Sequence, residues 1–498
     1  MLLDFVKIND GVNDWLSVSY FGSDNQKHII NLDLAHDLWE WSSKMPEDKR
    51  YNTPVMGYKS WDGKTVYRMP VKSLTRTRQY DIIETRCDEE LKKEIFCKSK
   101  PKITFCDIET EVIDGFPEPS VAKERITCIG TSCDSEIIVR GIKPLKKHDI
   151  DKISEEVKQH FGEDRWTFEY RYYTSEHEML MDFLTEVKHM DVLTGWNFTG
   201  FDWYYITTRC KRLGIDTKMA SPISVVLSGN KDNPETPYHV FICDYMVIYK
   251  GNQKKAPSYK LDMIGDIVCG IKKVEYDGTL QQLYENDFHK YIYYNAIDCG
   301  LVQKIHEKSK ALDIAMLTCQ TTNTKLPSVT SKTAITENYL RHAMLADKIV
   351  ITKETKKECE KEGYEGAYVA EPEKGLHRMV MCCDFASLYP TCVRMYNIGM
   401  ETLVGKFHEN TTQLESFKSD HEHYIVTPNN TVYKKKDGYF KKEVSRLFKE
   451  RKQNKKWSWV CKQTSYELGK LLDADAPQSE IEEYLKKHID DINLIMKL

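Results

Sequence analysis

The sequence lacks several features that would assign it to common protein classes. Its fifteen cysteines are scattered over 498 residues, and no two of them are spaced C-x-x-C. The sequence therefore contains neither a zinc-ribbon motif nor a dithiol redox motif. No apolar run approaches the length of about 18 residues that a membrane span requires. The amino-terminal stretch MLLDFVKIND carries Asp4 within its apolar run, which is unlike a secretory signal. We therefore expect a cytoplasmic protein with reduced, buried thiols and no membrane contact.

The chain also has little net charge. Its 72 Lys and Arg residues nearly balance 76 Asp and Glu residues, which leaves a net charge of -4. Any binding of nucleic acid would therefore depend on local basic surface rather than on the field of the whole molecule. At roughly 100–200 residues per domain, the length allows about three or four domains with buried cores.

Hydrophobic patterning changes at Pro101. Residues 1–100 contain short alternating runs such as WLSVSYF, which indicate strands. After Pro101, strand-like segments alternate with helical ones. The strand-like segments are KITFCDIE, RITCIGTSC, SEIIVRGI and DVLTGWN, and HEMLMDFLTEVKHM has helical spacing. This alternation predicts an α/β domain built on a mixed sheet.

The later part of the chain changes pattern twice more. Residues 311–355 have a mainly helical, polar pattern, and strand signals return over 364–440. The segment TVYKKKDGYF predicts a hairpin with Asp437-Gly438 as its turn. From Lys441 onward the chain is highly charged and its pattern is helical.

Four acidic residues occupy distinctive local contexts. Asp107 and Glu109 lie two apart on a predicted strand, so their side chains project from one face, where a divalent cation would offset their repulsion. Asp202 follows a strand and falls in the first turn of a predicted helix. Asp298 lies on a predicted helix, one turn after Tyr294. Taken singly, each pattern is more typical of a solvated acid, a helix-start acid or a packed tyrosine than of a catalytic site.

Together, these residues resemble the DEDD-type 3′–5′ exonucleases, in the branch that uses tyrosine. The motifs are D-I-E-T at 107–110, N-x-x-x-F-D at 197–202 and Y-x-x-x-D at 294–298. The histidine branch would have histidine where this chain has Tyr293. The resemblance implies that Tyr294 orients the attacking water. It also implies that Asn197 contacts DNA.

The same resemblance implies a site for two Mg²⁺ or Mn²⁺ ions. The implied ligands are four acids: Asp107, Glu109, Asp202 and Asp298. Carboxylates are the ligands that such hard cations prefer, and no cluster of His or Cys near these acids favours zinc. Two divalent ions can activate water and stabilise a leaving oxyanion, as hydrolysis of a phosphodiester requires.

A second motif, MCCDFASLYPT, resembles motif A of the family B DNA polymerases. From the residues alone, it could equally be an ordinary buried strand followed by a Tyr-Pro turn. The flanking segments YEGAYVAEP, SYKLDMIGDI and VSRLFKERKQNKKW extend the resemblance to replicative polymerases of T-even-type bacteriophages. The resemblance covers about residues 100–460, in the same order and spacing.

The polymerase resemblance implies further site residues. Asp384 and the carbonyl of Phe385 would hold the two metal ions of the polymerase site. Backbone amides around Ser387 and Leu388 would meet the incoming triphosphate, and Tyr389 would exclude a 2′-hydroxyl. Outside motif A, the resemblance implies phosphate binding by Arg451 and Lys455, one turn apart on a basic helix, and DNA binding by Tyr364 and Gly366.

The resemblance also implies the fold, an α/β and α+β multidomain chain. Its parts would be an N-terminal domain (1–100 and 311–355), a ribonuclease H-like 3′–5′ exonuclease domain (101–310), a partial palm (356–440) and partial fingers (441–498). The implied ligands are primer-template DNA with a single-stranded 3′ end and deoxynucleoside triphosphates. A bacteriophage protein of this kind would act in the cytoplasm of the host cell.

Two polymerase motifs do not occur in these 498 residues. They are motif B, K-x-x-x-N-S-x-Y-G, and motif C, Y-x-D-T-D, which supplies the second metal-binding carboxylate. One carboxylate cannot assemble the metal pair, so we expect no polymerisation by this chain alone. The last helical segment carries an apolar stripe that we expect another surface to cover. The stripe consists of Ile481, Leu485, Ile489 and Ile492.

Three functional hypotheses follow. The leading one is the N-terminal subunit of a split replicative polymerase, whose second chain brings motifs B and C, the thumb and contact with a sliding clamp; an engineered truncation would have the same motifs. The second is a stand-alone 3′–5′ exonuclease with a relic palm. The third is a non-catalytic DNA-binding scaffold.

Overall fold

A computed structural model describes most of the chain. The described residues are 1–35, 38–113, 115–229, 234–252, 255–352, 368–385, 387–473, 477–489 and 493. The chain forms two compact units. The first unit contains Met1–Glu40 and Pro70–His342, and the second contains Trp41–Met69 and Ala343–Leu498. This division is coarser than the four segments expected from the sequence, whose borders stay predictions.

Strands and helices are numbered in chain order. The strands are β1 (Leu2–Asn9), β2 (Asp14–Phe21), β3 (Lys27–Asp33), β4 (Trp39–Ser42), β5 (Lys59–Ser60), β6 (Tyr67–Pro70), β7 (Ile103–Thr110), β8 (Ile126–Cys133), β9 (Glu136–Gly141), β10 (Thr167–Tyr172), β11 (Val192–Gly195), β12 (Val226–Leu227), β13 (Thr236–Pro237), β14 (Phe241–Asp244), β15 (Ile349–Val350), β16 (Leu403–Lys406), β17 (Tyr424–Val426) and β18 (Thr431–Lys434).

The helices follow the same convention. They are α1 (Arg76–Arg86), α2 (Glu89–Ile95), α3 (Lys147–Phe161), α4 (Glu176–Val187), α5 (Asp202–Arg212), α6 (Tyr245–Asn252), α7 (Leu261–Cys269), α8 (Leu280–Asn286), α9 (Phe288–Ser309), α10 (Ala311–Thr321), α11 (Lys332–Ala346), α12 (Leu388–Tyr396), α13 (Thr412–Ser419), α14 (Tyr439–Asp473) and α15 (Gln478–Lys487).

A six-stranded mixed sheet organises the first unit, in the order β10-β9-β8-β7-β11-β14. Strand β8 runs antiparallel to both β7 and β9, whereas β7, β11 and β14 are parallel. The predicted strands KITFCDIE, RITCIGTSC, SEIIVRGI and DVLTGWN are confirmed as β7, β8, β9 and β11, and the predicted helix is confirmed as α4. A separate antiparallel sheet, β1-β2-β3, confirms the strand-rich start of the chain.

Helices cover both faces of the mixed sheet because neighbouring residues of β7 point to opposite sides. Cys106 and Ile108 pack with α4 and α5 in one apolar cluster. Phe105 points the other way and packs with Leu301 and Ile305 of α9. Strand β7 is therefore covered on both faces, and most of its residues are buried.

Short-range signals set the starts of the helices around the site. Ser175 caps α4 by accepting a hydrogen bond from the Glu178 amide. Thr279 and Gln282 form a capping box at α8, and Asp287 caps α9. These caps give α9 a defined first turn just before the residues of the Y-x-x-x-D motif.

The second unit contains a small antiparallel sheet, β16-β18-β17, and the long helix α14. Helix α12 packs on α14 through Arg394, whose guanidinium lies 4.7 Å from the ring centre of Phe448. The predicted charged helix after Lys441 is confirmed as α14.

The predicted hairpin turn at Asp437-Gly438 is wrong. Strand β18 ends at Lys434, and its hairpin partner is the preceding strand β17, joined through a loop in which Asn430 has a φ of +61°. The side chain of Asn397 instead accepts the Gly438 amide at 3.1 Å, at the entry to α14. Tertiary hydrogen bonds thus use the backbone groups that a hairpin would have needed.

The described residues include no helix that is long and apolar enough to cross a membrane. The fourteen cysteines that the structure describes are all free thiols.

Candidate active site

Strand β7 brings two carboxylates to the face that α9 covers. Asp107 is half-buried and Glu109 is 8% exposed. They pair across the strand with Gly130 and Cys128 of β8. The alternation that puts Cys106 and Ile108 into the opposite core thus directs both acids toward α9.

Helix α9 can approach β8 closely because Gly130 has no side chain. A Cβ atom at Gly130 would lie 2.3 Å from Oδ1 of Asn295 and 2.7 Å from Sγ of Cys299. In this position, Asn295 donates a hydrogen bond from Nδ2 to Oδ2 of Asp107 at 3.0 Å. The glycine therefore makes room for the helix that carries the third acid.

Asp298 lies on α9 beside the two acids of β7. Carboxylate oxygens of Asp107, Glu109 and Asp298 all lie within 4.8 Å of one another. Asp298 is 3% exposed, and its Oδ1 has no hydrogen-bond partner among the described residues. Tyr294 lies one turn earlier on α9, and burial together with the charge of Asp298 raises the pKa of its hydroxyl.

Asp202 reaches the same region from the opposite side of the sheet. It opens α5, is 4% exposed, and accepts a hydrogen bond from the Ile108 amide at 3.1 Å. That amide lies on β7 between Asp107 and Glu109. The structure thus brings all four predicted acids to one short stretch of β7, while Asn197 lies exposed at the turn before α5.

Burial and mutual repulsion make these acids hard to ionise without a cation. Burial, followed by the charge of Asp298, raises the pKa of Asp107 to about 7. Burial and the neighbouring acids raise the pKa of Glu109, and burial with the charge of Asp107 raises that of Asp202, both well above the usual range. A cluster of this kind gains stability when positive charge is placed among its oxygens.

Lys273 supplies one positive charge to the cluster. Its Nζ lies 2.5 Å from Oδ2 of Asp298 and 4.8 Å from the ring centre of Tyr294. Burial alone would lower the pKa of Lys273, but Asp298, Tyr294 and Asp107 together raise it above its usual range. The ammonium group therefore stays charged beside the acids.

Sequence reasoning missed Lys273 and Asn295. Asn295 had a usable signal, since it lies three residues before Asp298 and so on the same helix face. Lys273 had no such signal in the sequence, because it lies in an irregular stretch between α7 and α8 whose residues show no helix or strand periodicity.

An aromatic pair flanks the carboxylate cluster. Phe116 is 84% exposed, and its ring centre lies 5.3 Å from that of Phe201, the residue before Asp202. An exposed aromatic face beside buried acids is suited to stacking a nucleic-acid base.

The residues of the polymerase motif lie in the second unit. Asp384 and Phe385 are exposed and lie outside helices and strands, and Phe385 is 76% exposed. Ser387 has a φ of +52° and precedes α12, whose first two residues are Leu388 and Tyr389.

The structure describes only some of the other residues expected at the polymerase site. Arg451 and Lys455 are both exposed on α14. Tyr364 and Gly366, expected to bind DNA, lie outside the described residues, as does Ile492 of the final apolar stripe.

The donors present in the first unit fit divalent cations such as Mg²⁺ or Mn²⁺. The acidic ligand atoms are carboxylate oxygens, and one of them is a buried oxygen without a hydrogen-bond partner among the described residues. Burial, followed by the charges of the neighbouring acids, raises the pKa of Glu109. No second group of three or more His, Cys, Asp or Glu side chains that could hold a metal ion occurs in the described part of the chain.

Comparisons with known proteins identify two matching families along the chain. The family model "DNA polymerase family B, exonuclease domain" matches residues 59–264, and the model "DNA polymerase family B" matches residues 327–474. Asp107, Glu109 and Asp202 lie within the first match, and Asp384 lies within the second.

Similar individual proteins include three DNA polymerases. The DNA-directed DNA polymerase of Escherichia phage RB69 is 30% identical over 386 residues, which is 72% of this chain and 42% of that protein. That of Enterobacteria phage T4 is 27% identical over 79% of this chain and 47% of its own length. The DNA polymerase of Archaeoglobus fulgidus is 24% identical over 61% of this chain and 35% of its own length.

This chain spans less than half the length of these relatives. The two family models match successive parts of the chain, and the phage relatives match most of it. The chain therefore belongs to the family B DNA polymerases, and it carries their exonuclease domain and a part of their polymerase domain.

Proposed function

We propose that the first unit is a metal-dependent 3′–5′ exonuclease that removes nucleotides from a single-stranded DNA 3′ end. The observation that carries this proposal is that β7, α5, α9 and the segment after α7 bring four acids, Tyr294 and Lys273 together around one stretch of β7. The strand order, with β7 at the centre and β8 antiparallel, supports a ribonuclease H-like fold for this unit.

The acids of the cluster would hold two divalent cations. The proposed ligands are Asp107, Glu109, Asp202 and Asp298. When bound, such ions lower the pKa of water and neutralise the leaving oxyanion.

The residues around the acids hold the carboxylates in fixed orientations and offer a hydroxyl group to the substrate. Asn295 holds Asp107 by its amide, and the amide of Ile108 holds Asp202, so neither carboxylate rotates freely. Tyr294 keeps a protonated hydroxyl, because burial and the charge of Asp298 raise its pKa. That hydroxyl can donate to or accept from a water or a phosphate oxygen beside Asp298.

Lys273 has two proposed tasks. Its ammonium group compensates Asp298, and it offers a cation to the phosphate of the substrate. Phe116 and Phe201 would stack the bases near the 3′ end, which favours unpaired strands over duplex.

Degradation of a 5′-labelled single-stranded oligonucleotide with Mg²⁺ tests the exonuclease. We expect stepwise shortening from the 3′ end. Asp107→Ala should lower the rate on the order of a hundredfold or more, as loss of one preorganised charged group does. Asp266→Asn, which removes an exposed acid of α7, is the matched control and should leave the rate unchanged. Absence of shortening by the unaltered chain would refute the proposal.

We further propose that the second unit holds the motif A half of a polymerase site. Asp384 and the Phe385 carbonyl would bind metal, the amides at Ser387 and Leu388 would meet the triphosphate, and Tyr389 would select the sugar. Phosphate binding would fall to Arg451 and Lys455, and DNA binding to Tyr364 and Gly366. In the first unit, Asn197 would contact DNA at the exonuclease site. The exposure of Asp384 and Phe385 supports a site that further residues complete.

Those further residues would carry motifs B and C, and we propose that a second polymerase chain brings them together with the thumb and clamp contact. The substrates of the polymerase formed by the two chains would be primer-template DNA and deoxynucleoside triphosphates. This polymerase would act in the cytoplasm of a bacteriophage host. Primer extension with and without a polypeptide carrying K-x-x-x-N-S-x-Y-G and Y-x-D-T-D tests this. Extension only in the mixture supports it. Extension by the chain alone would overturn it, and shortening without extension in the mixture would indicate a stand-alone exonuclease.

A further inference from the structure

Lys273 lies in a part of the chain that has no regular structure of its own. Residues 271–276, between α7 and α8, belong to no helix or strand. A lysine on such a segment has many accessible directions and loses rotamer entropy when it is fixed in one of them. Yet its Nζ lies 2.5 Å from Oδ2 of Asp298. Something outside the segment must set the direction of this side chain.

The peptide group that joins Lys272 to Lys273 is held from both sides. Its carbonyl oxygen lies 2.9 Å from Nε2 of His160, near the end of α3. Its amide donates to Oδ1 of Asp262, in the first turn of α7, at 3.0 Å. Because a peptide group is planar, fixing both its carbonyl and its amide fixes the plane from which the Lys273 side chain leaves.

His160 is itself oriented by the helix that carries the acids. The hydroxyl of Tyr293, on α9, lies 3.0 Å from Nδ1 of His160. Since Nε2 must donate to the Lys272 carbonyl, the neutral imidazole accepts the Tyr293 hydroxyl at Nδ1. Burial lowers the pKa of His160, which keeps this neutral form at physiological pH. The chain of contacts therefore begins one residue from Tyr294 and ends one residue from Lys273.

We infer that His160 and Asp262 are positioning residues of the exonuclease site, which clamp the Lys272–Lys273 peptide so that the Lys273 ammonium meets Asp298 and the substrate phosphate. This inference rests on the proposed exonuclease function. Neither residue touches the substrate. His160 acts only through Lys273. Asp262 acts through Lys273, and its charge also adds to the rise that burial causes in the pKa of Asp298. Their loss should lower the catalytic rate constant while leaving the KM for single-stranded DNA nearly unchanged.

A competing explanation is that His160 only packs α3 against α9. The same two helices have a second polar contact, between Nε2 of His289 on α9 and Oε2 of Glu156 on α3, 3.1 Å apart. His289→Leu therefore disturbs the same helix pair without touching the clamped peptide. It is the matched control for His160→Leu.

The test measures kcat and KM for shortening of a labelled single-stranded oligonucleotide with Mg²⁺, alongside thermal unfolding of each variant. His160→Leu removes a hydrogen bond to the peptide and should lower kcat about tenfold, because a displaced Lys273 ammonium stabilises the transition state less well. His160→Gln can still donate to the Lys272 carbonyl and should recover most of the rate. Asp262→Ala should lower kcat as His160→Leu does. Asp262→Asn can still accept the hydrogen bond from the Lys273 amide and should keep most of the rate.

A double substitution separates positioning from damage to the fold. If His160 acts only through Lys273, then His160→Leu adds no further loss to Lys273→Met. Losses that multiply, or an equal loss in His289→Leu, would overturn the inference while leaving the exonuclease proposal intact. An unaltered chain that shortens no DNA would instead refute the exonuclease proposal on which the clamp depends.

Discussion

At the scale of single residues, Lys273 shows how one cation controls a group of acids. It lowers the pKa values of Asp107 and Asp298, opposing the rise that burial causes in both. Lys273→Met keeps most of the side-chain volume and removes the charge. Both carboxylates should then need a higher pH to ionise, because their pKa values rise.

The expected result is an exonuclease rate about tenfold to a hundredfold lower, with the acid side of its pH profile moved to higher pH. The measurement is the initial rate of shortening between about pH 5.5 and about pH 9, which covers the acid limb of the profile. Lys272→Met, on the exposed neighbouring lysine, is the control. An acid limb that does not move would show that Lys273 does not hold the acids ionised.

His239 provides a second residue-scale prediction, on stability. Its ring is fully buried with Nε2 3.0 Å from the Ser17 hydroxyl, and burial lowers its pKa from 6.5 to about 4. Between these values the unfolded chain binds a proton that the folded chain does not. Stability is therefore lost as the pH falls from 6.5 toward 4, by up to ~3 kcal/mol in total.

Unfolding by urea at several pH values measures this loss. His239 has a φ of +67°, and His239→Asn can adopt that conformation but cannot titrate in this range. The asparagine variant should lose less stability than the unaltered chain over the same interval. Equal slopes for the two proteins would contradict the assignment.

At the scale of elements, the site depends on how closely α9 lies on β8. Gly130→Ala adds a Cβ only 2.3 Å from the Asn295 amide oxygen. The helix or the asparagine must shift, so we expect a destabilisation of about 1–3 kcal/mol, typical of overpacking, and a loss of exonuclease activity through Asp107.

Gly251→Ala is the control for this substitution. A Cβ at Gly251 of α6 meets nothing within 4 Å, so alanine there should stabilise the helix by about 0.5–1 kcal/mol. Thermal unfolding and shortening assays check both variants. Full activity in Gly130→Ala would show that the close approach of α9 is not needed.

The element scale also explains which parts of the fold could be predicted. Strands β7, β8, β9 and β11 follow from β-branched runs, and the helix with Asp298 follows from its spacing, because these signals are local. The Asp437-Gly438 turn failed because Asn397 and Glu401, distant in sequence, bind the amides on which the prediction depended.

At the scale of the whole molecule, the carboxylate cluster links metal binding to stability. Burial, Asp107 and Asp298 raise the pKa of Glu109 well above its usual range, so the metal-free cluster is under strain. A cation bound only by the folded state stabilises it in proportion to the logarithm of its concentration. Mg²⁺ should therefore raise the unfolding temperature, and a chelator should reverse the rise.

Glu109→Gln tests the origin of that effect. Without metal, the variant should unfold at a temperature higher by about 2–4 °C, because one source of repulsion is gone, and its response to Mg²⁺ should be reduced. Asp266→Asn should behave as the unaltered chain does. A variant that responds to Mg²⁺ in full would place the metal elsewhere.

By itself, the sequence determined the elements and the types of donor, because strand alternation, helix spacing and carboxylate chemistry are local properties. It identified Asp107, Glu109, Asp202, Asp298 and Tyr294 as residues to bring together, and Asp384 as part of a second motif. Only the tertiary structure decided that Asn295 holds Asp107 and that Lys273 neutralises Asp298. Those contacts join residues that are far apart in the chain, and their energies depend on burial, which no local pattern specifies.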